Sequence, residues 1–261
     1  SYRKIRNTFR FILGNLKDNY NDLNFETVNV NNFSDLEKYI LNRIYEVENS
    51  FQKNLKNYNF HKLYKDLLNF CNLDLSSFYF DIRKDVLYCD QVSSKKRKDC
   101  IVILNILLKC LIHWFAPIFV FTTEEIYNLV KKDNKSIHLC TFPNIPKNWK
   151  NETLGKKWID LQKIKQKVNI AVEEKRAAKE IGSSLESSIE ISTDKKNFDL
   201  MEDLDMAEYF ITSKAKKILN KDDKLETKIY VKKAGGVKCP RCWKIVDDKC
   251  DRCEKARKEQ A

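Results

Sequence analysis

The sequence predicts a mainly α chain: a helical bundle over residues 1–150, a small α/β domain over 151–233 and a four-cysteine module over 234–261. Three observations carry this. Chain breakers are scarce, with 5 Gly in 261 residues where average usage would supply about 18, and only 4 Pro. Apolar residues recur at helical spacing through the first half and drop to a period of two beyond residue 184. Four of the nine cysteines crowd into residues 239–253, in a tail too short to bury a core of its own. With 43% apolar residues, 15 Phe, 11 Tyr and 4 Trp, the rest of the chain has ample material for a core, which excludes a disordered protein.

Each element has its own signal. Residues 2–16 place Tyr2, Ile5, Phe9, Ile12, Leu13 and Leu16 at helical spacing, with Arg3, Arg6 and Arg10 on another side. Ser34-Asp-Leu-Glu37 predicts a capping box, the Ser oxygen taking the N–H of Glu37 and the Glu carboxylate reaching back. Behind it Leu36, Ile40, Ile44, Val47, Phe51 and Leu55 step by three or four. Helices are expected over 61–73, 78–88 and 97–116. Thr122-Thr-Glu-Glu125 predicts a second capping box opening a helix over 123–132. After Pro143 and Pro146, a helix over 154–180 aligns Trp158, Leu161, Ile164, Val168 and Val172, with Gly182 as its C-terminal cap. Leu185, Ser187, Ile189 and Ile191 then alternate as a strand, as do Leu225, Thr227, Ile229 and Val231. Residues 198–206 read as helix, Glu208–Thr212 as a third strand, and Gly235-Gly236 as the hinge before the tail.

The formal charge is +12, which suits a nucleic-acid partner. It equally suits a biased composition, since 39 Lys outnumber 10 Arg and there are 24 Asn. No signal-peptide pattern opens the chain. The apolar stretch Cys100–Phe121 is interrupted by Asn105, Lys109, His113 and Pro117 every fourth residue, so it reads as a buried helix with one wetter stripe and not as a membrane span. The expectation is a soluble, cytoplasmic monomer. Cys71, Cys89, Cys100, Cys110 and Cys140 lie among apolar neighbours and read as reduced, buried thiols.

The tail carries the chemistry. Cys239-Pro-Arg-Cys242 and Cys250-Asp-Arg-Cys253 form C-x2-C-x7-C-x2-C. Each pair sets two sulfurs on one side of a tight turn, and two such turns complete a tetrahedron of thiolates. Zn²⁺ favours that closed set, and its binding would supply folding free energy to a tail without a core. Spacing alone leaves iron open, as in a rubredoxin-like site; a redox dithiol would sit near a βαβ pattern and lack the second pair. Catalytic residues are expected to be absent. No G-x-G pair exists to cradle phosphates, and His61, His113 and His138 each stand apart from any nucleophile.

Several segments resemble one family. Ser1-Tyr-Arg-Lys-Ile-Arg-Asn-Thr-Phe-Arg-Phe-Ile-Leu-Gly-Asn-Leu16 resembles the opening of the anticodon-binding helical domain of bacterial-type isoleucyl-tRNA synthetases, which are class I enzymes. Phe78-Tyr-Phe-Asp-Ile-Arg-Lys-Asp-Val-Leu-Tyr88 and Phe115-Ala-Pro-Ile-Phe-Val-Phe-Thr-Thr-Glu-Glu-Ile126 are similar to later helices of that domain, shared with the valine and leucine enzymes. Trp158 to Glu186 resembles the isoleucyl C-terminal junction, and Lys238-Cys-Pro-Arg-Cys-Trp-Lys244 with Cys250-Asp-Arg-Cys253 the terminal zinc module. The likeness runs in family order over nearly the whole chain. Two departures stand out: Ser94-Lys-Lys-Arg97 is more Lys-rich than the family pattern, and nothing here matches the catalytic domain with its ATP-site signatures or the editing domain.

The resemblance implies the C-terminal part of an isoleucine–tRNA ligase that recognises the anticodon of isoleucine tRNA. ATP and Mg²⁺ would be used only in a catalytic part lying upstream. One structural Zn²⁺ is expected on Cys239, Cys242, Cys250 and Cys253. RNA loops are read by stacking splayed bases on aromatic or Arg planes and by holding phosphates on Lys and Arg, so the RNA-binding candidates are Arg3, Arg6, Arg10, Arg241, Trp243 and Lys244. The bland readings stay open, a solvated helix face for the first three and packing over the metal site for Trp243. The alternative from another class is a zinc-stapled helical scaffold that binds proteins.

Overall fold

The structure, a computed structural model, describes residues 1–131, 135–220 and 226–260. Leu225 of the second alternating run and Lys132 at the end of the helix expected over 123–132 lie outside the described residues. The chain divides into two compact units, one of residues 1–87 and 93–155, the other of 88–92 and 156–261.

The first unit is helical: α1 (Tyr2–Leu16), α2 (Asp35–Lys56), α3 (Phe60–Asn69), a π-helical stretch Phe70–Tyr79, α4 (Phe80–Cys89), α5 (Lys95–Phe115) and α6 (Val120–Val130). The spacing rule holds on α1, where Ile5, Phe9, Ile12 and Leu16 are buried and Arg3, Arg6 and Arg10 exposed. Helix α5 is central and packs on α1, α2 and α6. The polar stripe that kept it from reading as a membrane span has a defined task. Asn105 accepts from the N–H of Asn21 (2.8 Å) and donates to the carbonyl of Asn19 (3.1 Å), and Lys109 donates to the carbonyl of Leu23 (2.9 Å). The stripe therefore seats the 19–23 segment and satisfies three of its backbone groups. Among the described residues no helix is long and apolar enough to cross a membrane.

Helix ends depart from expectation. Ser34 is the N-cap of α2 but makes no side-chain bond to the backbone. Its hydroxyl donates to Glu37 instead, and Arg83 claims that carboxylate through Nε (2.7 Å) and Nη2 (2.8 Å), with Tyr79 adding its hydroxyl at 3.3 Å. A buried ion pair outcompetes a local cap. The second capping box does not form either: α6 begins at Val120, so Thr123 lies inside the helix and donates back to the carbonyl of Phe119 (3.0 Å), while Thr122 pairs with the Tyr2 hydroxyl (2.8 Å). The helices expected over 61–73 and 78–88 are one continuous helical run through the π stretch.

The second unit holds most of α7 (Glu152–Ala177), β1 (Ser187–Thr193), α8 (Lys195–Leu200), α9 (Met206–Tyr209), β2 (Lys214–Leu219), β3 (Lys228–Lys233), the short β4 (Val237–Lys238) and β5 (Ile245–Val246), and α10 (Asp251–Gln260). Helix α7 ends before Gly182; Lys179, at φ 58°, is the left-handed residue of a Schellman turn, with Glu180 N–H on the Lys175 carbonyl (3.0 Å) and Lys179 N–H on that of Arg176 (2.9 Å). Tyr58 (φ 54°) and Ile211 (φ 57°) occupy the same position after α2 and α9, and Lys17 (φ 46°) follows α1, so this glycine-poor chain pays strain at four helix ends among the described residues.

The sheet order is β2-β1-β3, with β1 parallel to β2 and antiparallel to β3. Its inward residues Ser187, Ile189, Ile191 and Thr193 are buried. The third strand expected over Glu208–Thr212 is instead helix α9 and its Schellman turn; the strand is β2, which begins at Lys214 and is Lys-rich. Trp158 of α7 meets Tyr209 edge-on, ring centroids 5.5 Å apart.

Candidate metal centre and nucleic-acid interface

The tail folds as two turns that face each other. In the first, β4 pairs with β5, and Gly236 (φ 129°) lets the backbone approach so closely that a Cβ there would lie 2.2 Å from the Val246 carbonyl oxygen. Gly236 is thus required by contact, and more than a hinge. Between the strands Cys239 N–H donates to the Lys244 carbonyl (2.9 Å) and Trp243 N–H to that of Cys239 (2.9 Å), a turn closed by Trp243 at φ 64°. In the second turn Cys250 immediately precedes α10 and Cys253 lies in its first turn, with Glu254 N–H on the Cys250 carbonyl (3.0 Å).

These turns bring together the Sγ atoms of Cys239, Cys242, Cys250 and Cys253, all within 4.8 Å of one another. Cys242 and Cys250 are 3.8 Å apart, close to the edge of a tetrahedron whose centre lies about 2.3 Å from each sulfur. The surroundings favour a thiolate at Cys239. Burial pushes the Cys239 thiol up, but N–H groups of Cys242 and Arg241 directed at its sulfur outweigh that and bring it to about 7. Burial raises Cys242 and Cys253, with a Lys244 N–H and the Arg241 side chain acting against it respectively. Donor set, spacing and N–H···S bonds all fit a four-coordinate soft metal with no open position.

A fifth thiol belongs to the same buried cluster. Cys89 packs with Cys239, Cys242 and Cys253, although sequence spacing gives no hint of it. The 88–92 segment that carries it is held by the tail: Arg241 donates to the carbonyls of Cys89 and Tyr88 (3.2 Å for the latter), Arg252 pairs with Asp90 (2.8 Å), and Glu259 accepts the Val92 N–H (2.6 Å).

The RNA-binding candidates fall into two groups. Arg3, Arg6 and Arg10 share the exposed side of α1, where Arg6 reaches the Tyr2 hydroxyl at 3.4 Å. In the metal turn Trp243 is 62% exposed, so its ring is not packed away over the cysteines. Lys244 is half-buried, and the Arg241 guanidinium is engaged with the 88–89 carbonyls. A bulky aromatic in the left-handed region with its ring in solvent is a costly arrangement for packing alone.

Comparison with known proteins agrees with this architecture. The family model for the anticodon-binding domain of tRNA ligase matches residues 37–191, more than half of the chain. The chain is 52% identical over 252 residues to an isoleucine–tRNA ligase of Pelagibacter ubique, covering 97% of this chain and 28% of that protein. It is 37% identical over 257 residues to that of Agrobacterium fabrum (95% and 26%) and 34% identical over 264 residues to that of Zymomonas mobilis (97% and 27%). The chain thus spans just over a quarter of the length of the curated relatives it matches. With a helical unit, a small α/β unit and a four-cysteine tail all in place, it belongs to the anticodon-binding domain family of tRNA ligases.

Proposed function

We propose that this chain is the C-terminal tRNA-recognition part of an isoleucine–tRNA ligase, binding the anticodon stem-loop of isoleucine tRNA so that a catalytic domain elsewhere in the enzyme attaches isoleucine with ATP and Mg²⁺. The carrying observation is the 52% identity with an isoleucine–tRNA ligase over 97% of the chain. On this reading the protein works as a cytoplasmic monomer in three parts, residues 1–150, 151–233 and 234–261. Arg3, Arg6 and Arg10 hold phosphates beside the loop, Trp243 offers a ring to an unstacked base, and Lys244 neutralises charge next to it. Arg241 serves the RNA by fixing the turn that presents Trp243. Cys239, Cys242, Cys250 and Cys253 hold a structural Zn²⁺, which supplies the free energy that keeps the two turns folded.

A salt titration of binding to isoleucine tRNA tests the reading. Each phosphate neutralised on a duplex contributes about 0.9 to the log–log slope, and about 0.7 on a single strand, so several contacts give a slope of several units. Trp243→Ala leaves all four thiolates in place and should weaken binding by about 1–3 kcal/mol, the usual range for base–aromatic stacking. Negligible tRNA binding at any salt would instead favour a protein-binding scaffold.

A further inference from the structure

We propose that the open face of the β2-β1-β3 sheet is an additional RNA-contact surface, which holds the phosphodiester backbone of a single-stranded stretch on Lys228 and Lys232 and stacks one base on Tyr230. It rests on the reading of the chain as a tRNA-binding one, and extends it to a surface outside the metal turns and α1.

The strand register defines the face. Glu190 of β1 lies between Lys216 on β2 and Tyr230 on β3, and the row beside it sets Ser188 between Lys214 and Lys232. All of these belong to the side opposite the buried Ile189 and Ile191. Side chains on this side of β3 read Lys228, Tyr230, Lys232, each exposed, the Tyr by 54%. Alternate residues of a strand are about 6.6–6.8 Å apart, so the strand offers charge, ring and charge in a line.

The charges are unevenly committed. Lys214 is paired with Asp247 and Lys216 with Glu190, both at 2.5 Å. Lys228 and Lys232 have no acidic partner among the described residues, so within those residues the face carries positive charge that no ion pair offsets. Lysines on an edge strand also discourage sheet-to-sheet pairing, but that task needs no exposed aromatic between them. An acidic peptide would satisfy the lysines and leave the ring unused. A nucleic-acid strand uses both, because its phosphates alternate with π-faces that stack on aromatics. The Lys214–Asp247 pair also places the near edge of this face beside the metal turns, so one strand of RNA can pass from one to the other.

The test uses the full 261-residue chain loaded with zinc and isoleucine tRNA as probe. Lys228→Gln combined with Lys232→Gln should lower the log–log salt slope by about 1.4–1.8, two phosphate contacts' worth. Lys228→Arg with Lys232→Arg should keep the slope, and Tyr230→Ala should weaken binding about 5- to 150-fold. Ultraviolet cross-linking should place a tRNA nucleotide on the peptide containing Tyr230. If the parent binds tRNA but the Gln pair and Tyr230→Ala match it in slope and affinity, with circular dichroism and zinc content unchanged, the sheet-face proposal is overturned and the anticodon reading stands. If the parent itself fails to bind tRNA, both fall.

Discussion

Arg241 and Cys89 hold each other through their main chains: the Arg241 guanidinium donates to the Cys89 carbonyl, and the Cys89 thiol donates to the Arg241 carbonyl at 3.9 Å. The bond spans 152 positions of sequence and ties the first cysteine turn to the 88–92 segment, which Arg252 and Glu259 grip from the second. A metal held by the four cysteines would therefore be linked to the order of residues 88–92, because the side chains that hold the segment are carried by the turns it would close.

Arg241→Ala should separate these two features. All four ligands remain, so metal stoichiometry should stay at one. Stability should fall by about 1–3 kcal/mol, the range for losing charged hydrogen bonds to partly buried carbonyls, and the Cys89 thiol should be alkylated faster. Urea unfolding and mass spectrometry of the labelled peptide measure both. An unchanged midpoint with unchanged Cys89 labelling would show that the clamp is decorative.

Elemental analysis should find one zinc per chain, lost on treatment with a chelator. The chelated protein should lose structure in the tail while the helical unit persists, and Cys239, Cys242, Cys250 and Cys253 should become open to alkylation. Cys71, pushed up to about 12 by burial, and Cys110, raised by burial also, should stay unreactive at neutral pH in both states. Iron in place of zinc, or four thiols equally reactive with and without chelator, would refute the assignment.

Arg83 and Glu37 should behave as a committed buried pair, since their side chains are only 4% and 1% exposed. Arg83→Met leaves a buried carboxylate unmatched and should cost about 3–5 kcal/mol. Adding Glu37→Gln should recover part of that loss, because the second substitution removes the orphaned charge. A guanidinium chloride melt of the two variants gives the comparison; a double variant less stable than Arg83→Met would contradict it.

What the sequence reveals here divides by distance along the chain. The α1 face, from Ile5 to Leu16, and the two C-x2-C turns are local patterns, and both are legible. The fate of Glu37 is not, because its partner Arg83 is 46 positions away and overrides a capping box that is sound on local grounds. Strand β2 escapes notice for another reason: as an edge strand reading Lys-Ala-Lys-Lys-Ile-Leu it lacks apolar alternation. Cys89 joins the cysteine cluster only through tertiary contact, so no spacing could announce it.

Glu48 supplies a pH signature. Burial raises its carboxyl above the usual range, against hydrogen bonds from Gln52 and Trp114 that favour the anion. The folded state then holds a proton that the unfolded chain releases, so stability falls as pH rises from the ordinary carboxylate value through the raised one, and levels off above it. Glu48→Gln keeps an acceptor for the Trp114 N–H, at 2.5 Å in the parent, and removes the ionisation. The variant should match the parent at low pH and become relatively more stable as pH rises to neutrality. Paired thermal melts across pH 3.5–7.5 record the gap; a gap that closes on raising pH would reverse the sign and defeat the argument.

The most direct measurement of the central claim is the affinity of the zinc-loaded chain for two RNAs at one salt concentration, the isoleucine anticodon stem-loop and a hairpin of the same stem closed by an unrelated loop. A chain that reads the anticodon binds the first at least about tenfold tighter, a difference of about 1.4 kcal/mol and within reach of one stacked base. Equal affinity for the two hairpins would mean that only the phosphates are being held, and would contradict anticodon recognition.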